Sequence, residues 1–294
     1  MELDGLTVER ELHASPRSQL YRVRDGDGRT GVIKAPSVNL EDDAEALQRF
    51  ALEGWLLARL RGPHFPRPLT PPRPPSCQYL YLEYIDGVTL DQWAREHPDA
   101  PVEERLYLAD QLFNGLRALH RADVLHDDLK PDNLMVDRHG VVKLIDLGNA
   151  HPRGGDRPGS PHPQGTRPYT APERARGEAP SERADQFAAA AVIHEMLTGI
   201  LPWRGHYRRA AGRPLPPMTR LNPFVPEGVE RALARALSAR PEDRFHDVAE
   251  LRAALRRPGP VPRAAGDDPQ ARIRLWRGIS VVLLVLLLTV LAVK

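Results

Sequence analysis

The chain has 294 residues, 41% hydrophobic and 27% charged, which is the balance of a globular protein with a real core and enough length for one large domain or two ordinary ones. A net charge of +2 gives no basis for nucleic acid as a partner, and a single cysteine, Cys77, excludes an internal disulfide framework and suits a reducing compartment. Cys77 itself reads as a small buried or half-buried apolar residue.

From the N-terminus, "MELDGLTVER" is acidic and lacks the apolar stretch of a signal peptide. "LYRVRDGDGRTGVIKAP" is two β runs around a Gly/Asp turn, the pattern of a hairpin. "EDDAEALQRFALEGWLLARLRG" predicts a helix: Leu47, Phe50, Ala51, Trp55 and Leu56 fall at helical spacing, with acidic residues at the start and arginines with Gly62 at the end. The proline cluster from Gly62 to Ser76 reads as a loop between strands rather than a polyproline ligand, and "CQYLYLEYIDG" reads as another strand. From Leu90 to Leu255 the chain reads mostly helical, as in "ERADQFAAAAVIHEMLTG" and "GVERALARALSAR". The expected class is therefore α+β and bilobal: a small β-rich lobe over residues 6–84 and a larger α-helical lobe over 88–255.

The C-terminus changes character. Residues 256–274 are rich in Pro, Gly and charge and read as a flexible tether. Gly278 to Val293 then carries no charge, and only Ser280 and Thr289 carry polar side-chain groups. As a helix this stretch spans roughly 24 Å, a little short of a hydrocarbon core of about 30 Å, and Leu275 and Trp276 extend it. A helix buried against a protein on one side shows a polar stripe, which is absent here. The expectation is one transmembrane helix over 275–293. Arg272, Arg274 and Arg277 before it and only Lys294 after it place the N-terminal bulk in the cytoplasm, with no domain expected beyond the span.

The chemistry sits in "VLHDDLKPDNLMV", Val124 to Val136, and "VVKLIDLG", Val141 to Gly148. Phosphoryl transfer needs a cation on the nucleotide phosphates, oxygen ligands for Mg²⁺, and a carboxylate to orient the attacking hydroxyl. Lysine occurs only at 34, 130, 143 and 294 among 41 basic residues, so Lys34 at the end of a β run and Lys130 are selective choices in an arginine-rich chain. A compact ammonium suits phosphate at close range. Asp128 and Asn133 share the D-x-K-x-x-N spacing with Lys130, and Asp146 follows in "VVKLIDLG". Glu53, taken alone, is a glutamate on a helix surface. The histidines at 120, 126, 151 and 162 lack the ligand spacing of a zinc site.

In this order the motifs resemble those of the eukaryotic-type protein kinases, in the Ser/Thr-directed bacterial form, over roughly Leu6 to Leu255. The resemblance implies ATP with Mg²⁺ (or Mn²⁺) as cofactors and proteins bearing Ser or Thr as substrates. It implies that Asp128 orients the substrate hydroxyl, Lys130 sits over the γ-phosphate, and Asn133 and Asp146 hold metal. It implies that Lys34 binds phosphate and pairs with Glu53, and that Glu83 to Ile85 form a hinge that binds adenine through backbone groups. "GTRPYTAPE", Gly165 to Glu173, looks like the end of an activation segment. There Thr166 would contact Asp128 and Lys130, and Glu173 would pair with Arg244. Asp185 looks like the aspartate that braces the catalytic loop. Leu82 stands at the gatekeeper position, and Leu57, His126 and Leu147 in the regulatory spine.

Two departures from the family pattern stand out. The glycine-rich loop is "LHASPRSQLYRV", with His13, Ser15 and Ser18 where glycines are usual. Ser15 and Ser18 are the expected nucleotide contacts, as small residues with hydroxyl donors, and Arg17 adds a cation. The second departure is Asp127, which replaces the arginine that a phosphorylated activation loop neutralises. An aspartate would repel that phosphate unless Arg153, Arg157 or Arg167 intervenes. The expectation is a membrane-tethered kinase that does not need activation-loop phosphorylation. Two alternatives stay open: a nucleotide-binding pseudokinase scaffold, favoured by the glycine-poor loop, and a small-molecule phosphotransferase, disfavoured by Lys130 and the "GT…APE" segment.

Overall fold

The computed structural model describes residues 1–37, 43–154, 168–205 and 215–256. The expected tether from residue 257 onward, the expected membrane helix at 275–293, and Arg157, Ser160, Thr166 and Arg167 lie outside the described residues. Among the described residues no helix is long and apolar enough to cross a membrane.

The small lobe is a five-stranded antiparallel sheet in sequence order: β1 (Glu2–Leu3), β2 (Leu6–Ala14), β3 (Ser18–Arg24), β4 (Thr30–Pro36) and β5 (Leu80–Glu83). It begins at Glu2, slightly before the expected boundary at residue 6. β3 and β4 are the predicted hairpin, closed by the Asp25 carboxylate, which accepts the amides of Asp27 and Arg29. Alternation puts Leu6, Val23, Ile33 and Tyr81 into one buried cluster. The proline run lies along the open edge of β5: Leu69 donates its amide to Tyr81, and Glu83 donates to Arg67. Prolines offer no amide for a continuing ladder, so the pairing stops after this short contact. Cys77, expected buried or half-buried, is exposed, because the turn between the proline run and β5 carries it away from the sheet.

Helix α1 (Ala44–Arg59) starts where Asp43 accepts the amides of Glu45 and Ala46, an N-cap of ordinary kind. Its predicted face needs correction. Phe50, Leu56 and Leu57 are buried as apolar spacing suggests, but Glu53 is buried with them. Ala51 is exposed, and Trp55 is 51% exposed with Arg59 lying 4.7 Å over its ring. The helix is rolled so that Glu53 faces β4. A buried ion pair, which an apolar count ignores, sets the rotation.

The larger lobe contains β6 (Gly87–Thr89), α2 (Leu90–Glu96), α3 (Val102–Arg121), β7 (Val124–Leu125), β8 (Leu134–Asp137), β9 (Val142–Leu144) and β10 (His151–Pro152). It continues with α4 (Pro172–Ala175), α5 (Glu182–Thr198), α6 (Glu227–Ala236) and α7 (Val248–Leu255). The lobe is helical as expected, with two small sheets, β6-β8-β9 and β7-β10, that frame the Asp128 loop. Helix α5 is its axis. Ser181 caps its first turn by accepting the Ala184 amide, and Gly199 ends it in the left-handed region at φ 76°. It is buried on nearly every side, and the run Ala188 to Ala191 lets neighbouring elements approach closely. Beneath it, Arg244 is fully buried and grips Glu173 with two bonds of 2.6 and 2.7 Å. Arg244 also donates to the carbonyls of Arg183 and Ser238, and its guanidinium lies 4.9 Å from the Phe187 ring centre.

Removing one partner of this pair leaves the other charge buried. Glu173→Ala should therefore destabilise the fold by about 3–5 kcal/mol, read as a shift of the urea midpoint. A loss under about 1 kcal/mol, typical of an exposed pair, would show that the carbonyls alone satisfy Arg244.

Candidate active site

The sheet and α1 of the small lobe and the segment after β9 of the large lobe meet at one ammonium. Lys34 ends up on β4, paired across the strand with Leu80, which aims its amine at α1. Its Nζ lies 2.7 and 2.8 Å from the two oxygens of Glu53 and 3.0 Å from Oδ1 of Asp146. Burial works against the charge on Lys34, but the Glu53 and Asp146 carboxylates outweigh it and hold its pKa above the usual lysine value. Burial likewise pushes Asp146 up, and the Lys34 charge with the Gly148 amide overcomes it and lowers Asp146 to about 2. Glu53 bears the burial, and its pKa is raised despite Lys34 and the Leu147 amide. The cluster is thus a cation shared by two carboxylates, one of which, Asp146, remains 41% exposed toward the cleft. Gly148 follows it closely: its amide donates to Asp146 Oδ1 at 3.0 Å, and a Cβ there would stand 3.1 Å from the same oxygen.

The Asp128 loop is held from below. Asp185, buried on α5, accepts the amides of His126 and Asp127, each at 2.9 Å, and faces His120 Nε2 at 2.9 Å. Burial would raise the Asp185 pKa, and His120 with these bonds lowers it instead, so it remains an anion under the loop. Asn133 donates through Nδ2 to the Asp128 carbonyl at 2.8 Å, and its own carbonyl accepts the Ile145 amide at 3.0 Å. With the amide nitrogen so used, Oδ1 of Asn133 is the oxygen left for a ligand. Asn133 Oδ1 and the half-exposed Asp146 carboxylate form an all-oxygen set that fits Mg²⁺ or Mn²⁺. Lys130, half-buried, accepts the Asn133 amide on its carbonyl, which closes the turn at Pro131–Asn133.

The remaining expected residues fall into place unevenly. Leu57, Leu82, His126 and Leu147 are all buried. Glu83 turns its carboxylate to Lys143 Nζ at 2.8 Å, which leaves the expected hinge role to backbone groups. Ile85 lies just beyond β5 at the crossing between lobes. At the β2–β3 turn the Ser15 hydroxyl is spent on the turn: Oγ accepts the amides of Arg17 at 3.2 Å and Ser18 at 3.0 Å, and donates to the Ser18 carbonyl. Thus in this conformation the loop folds its own amides inward. Arg17 instead reaches across the cleft to Asn149 Oδ1 at 3.5 Å.

Three functional contacts escape a sequence reading. Asn149 Nδ2 donates to Asp128 Oδ2 at 2.9 Å. His120 supports Asp185 from α3. Arg174 grips the side chain of Asp127. Arg153, one of the three arginines named as able to intervene between Asp127 and a loop phosphate, pairs with Glu182 and lies 3.8 Å from Asp123. None of these has a distinctive spacing.

The chain was compared with known proteins. The family model "protein kinase domain" matches residues 17–216, more than half of the chain. The chain is 28% identical over 267 residues to a probable serine/threonine-protein kinase, PknB, of Lactococcus lactis, covering 84% of this chain and 41% of that protein. It is 32% identical over 239 residues to serine/threonine-protein kinase Pkn1 of Myxococcus xanthus, covering 76% of this chain and 34% of that protein. It is 26% identical over 267 residues to serine/threonine-protein kinase PrkC of Bacillus subtilis, covering 82% of this chain and 40% of that protein. The aligned part thus spans less than half the length of these curated relatives. The two lobes, the lysine shared by carboxylates from both of them, the aspartate-anchored loop and the family match agree: this chain belongs to the protein kinase domain family.

Proposed function

We propose that the protein is a serine/threonine protein kinase that transfers the γ-phosphate of ATP to a Ser or Thr hydroxyl of a protein. The observation that carries this reading is the convergence of Lys34, Asp128, Asn133 and Asp146 between the lobes, with Lys34 already paired to Glu53. The names of the relatives support the Ser/Thr direction. Asp128, whose Oδ2 accepts a hydrogen bond from Asn149, is the carboxylate that would orient the substrate hydroxyl and take its proton. Lys34 places a cation at the phosphates, and Lys130 is the cation nearest the transferred group in the family pattern. Asn133 and Asp146 would hold a divalent ion, which when bound would neutralise charge at the phosphates. The Ser15-closed turn favours a second reading, a pseudokinase with weak nucleotide binding.

The two readings differ in one measurement on the full chain in detergent, with labelled ATP, Mg²⁺ and a generic basic protein as acceptor. Label on serine or threonine is expected, falling by about 10²–10⁴-fold in Asp128→Asn while ATP binding persists. A folded protein that binds ATP and transfers no label to this acceptor or to candidate native substrates would favour the pseudokinase.

We further propose that the activity does not require activation-loop phosphorylation. Asp127 offers no cation for a loop phosphate, and its carboxylate is already engaged by Arg174. Ser160→Ala and Thr170→Ala should each retain the rate of the unsubstituted chain. Abolished transfer in either, with an unchanged melting curve, would sink this proposal.

The apolar stretch 275–293 and the arginines before it support a single-pass anchor in the cytoplasmic membrane with the kinase domain in the cytoplasm. The full chain should float with phospholipid vesicles after a high-salt wash, and a chain ending at Arg256 should not. Flotation of both, or of neither, would remove the anchor.

A further inference from the structure

In the family pattern the residue before the catalytic aspartate is an arginine, and an added phosphate is its partner. Here the polarity is reversed. Oδ1 and Oδ2 of Asp127 accept Nε and Nη2 of Arg174 at 2.8 and 2.9 Å, a two-pronged pair whose side chains are only 6% and 14% exposed. Such a fork restricts orientation as well as distance. Asp127 sits in the left-handed region at φ 54°, a backbone setting that aspartate tolerates better than most residues. Its amide is bound from below by Asp185, and its side chain is bound from the side by Arg174. The next residue is Asp128.

The far end of this bracket is rigid. Arg174 follows Glu173, whose carboxylate is locked on buried Arg244, and its Nη1 also donates to the Glu178 carbonyl. Consecutive residues of α4 therefore tie the same short helix to the base of the large lobe and to the catalytic loop.

We infer that Arg174 is a positioning residue for phosphate transfer: through Asp127 it fixes the backbone from which Asp128 projects, so that the loop is set by an ion pair written in the sequence. The inference rests on the kinase reading for its consequence, and on geometry alone for the coupling.

The test is a double-mutant cycle on the full chain in detergent, with Arg174→Ala, Asp127→Asn and both together. Asn keeps the tolerance for positive φ while replacing one acceptor oxygen by a donor that repels the guanidinium. Each single variant should lose about 10²-fold in kcat, the scale of a misplaced catalytic group. KM for ATP should not move, since neither residue lies among the expected nucleotide contacts. The double variant should lose no more than either single one, because both break the same pair. Amide exchange of residues 124–130 is the second readout and is independent of catalysis. It should quicken in all three variants alike. Unchanged exchange in the single variants, losses that multiply in the double variant, or a loss seen only as a raised KM for ATP would each overturn the inference. An unsubstituted chain that transfers no phosphate would count against the kinase reading, and exchange would still decide the coupling.

Discussion

One buried ammonium holds the active arrangement together. Lys34 Nζ touches Glu53 from α1 and Asp146 from the segment after β9, so two residues that lie 19 and 112 positions beyond Lys34 along the chain meet it at a single charge. Burying a carboxylate or an ammonium alone is prohibitive, and burying them together is tolerated only when the geometry is close and the bonds are made. The roll of α1, the placement of Asp146 and the approach of the two lobes follow from satisfying this one group. A nucleotide arriving with its own negative charge would enter a site where a cation is already held in place.

The large lobe repeats the device beneath the Asp128 loop and beneath α4. Asp185 is an anion beneath the catalytic loop, and Arg244 is a cation beneath α4. Each is buried, and each makes several directional bonds. Such groups contribute less to stability than apolar residues of equal size would, but they admit few alternative arrangements of the backbone they hold. That suits a loop which, on the proposed reading, holds Asp128, Lys130 and Asn133 in fixed relative positions. The Asp127–Arg174 pair extends the same logic from α5 and α4 to the loop itself.

The β2–β3 turn is the place where the chain departs furthest from its family. With Ser15 accepting the Arg17 and Ser18 amides, the turn satisfies itself, and the group it extends over the cleft is a guanidinium. Glycines at these positions would leave amides to approach a phosphate directly. On the proposed reading, a nucleotide would bind either by reopening the Ser15 turn or through side chains, which is where a quantitative difference from the relatives is to be sought.

Much of this was legible in the residues themselves. The D-x-K-x-x-N spacing, the scarce lysines and the "VVKLIDLG" run marked Asp128, Lys130, Asn133, Lys34 and Asp146 as candidates, because chemistry at a phosphate restricts residue types and short loops restrict their spacing. The β3–β4 hairpin and α1 were readable because turn residues, caps and apolar periods are local signals. The resemblance to kinases, rather than spacing, paired Lys34 with Glu53 and Glu173 with Arg244. The face of α1 was not readable, since Glu53 is buried by a lysine on another element and Trp55 is left outside by the same rotation. Nor was the partner of Asp127: Arg153, Arg157, Arg167 and Arg174 are alike as sequence, and only the fold brings Arg174 to it while giving Arg153 to Glu182. Local pattern singled out the candidate residues for phosphate chemistry; long-range packing alone decided which charge meets which, because pairing of buried ions depends on distance in space and leaves no period along the chain.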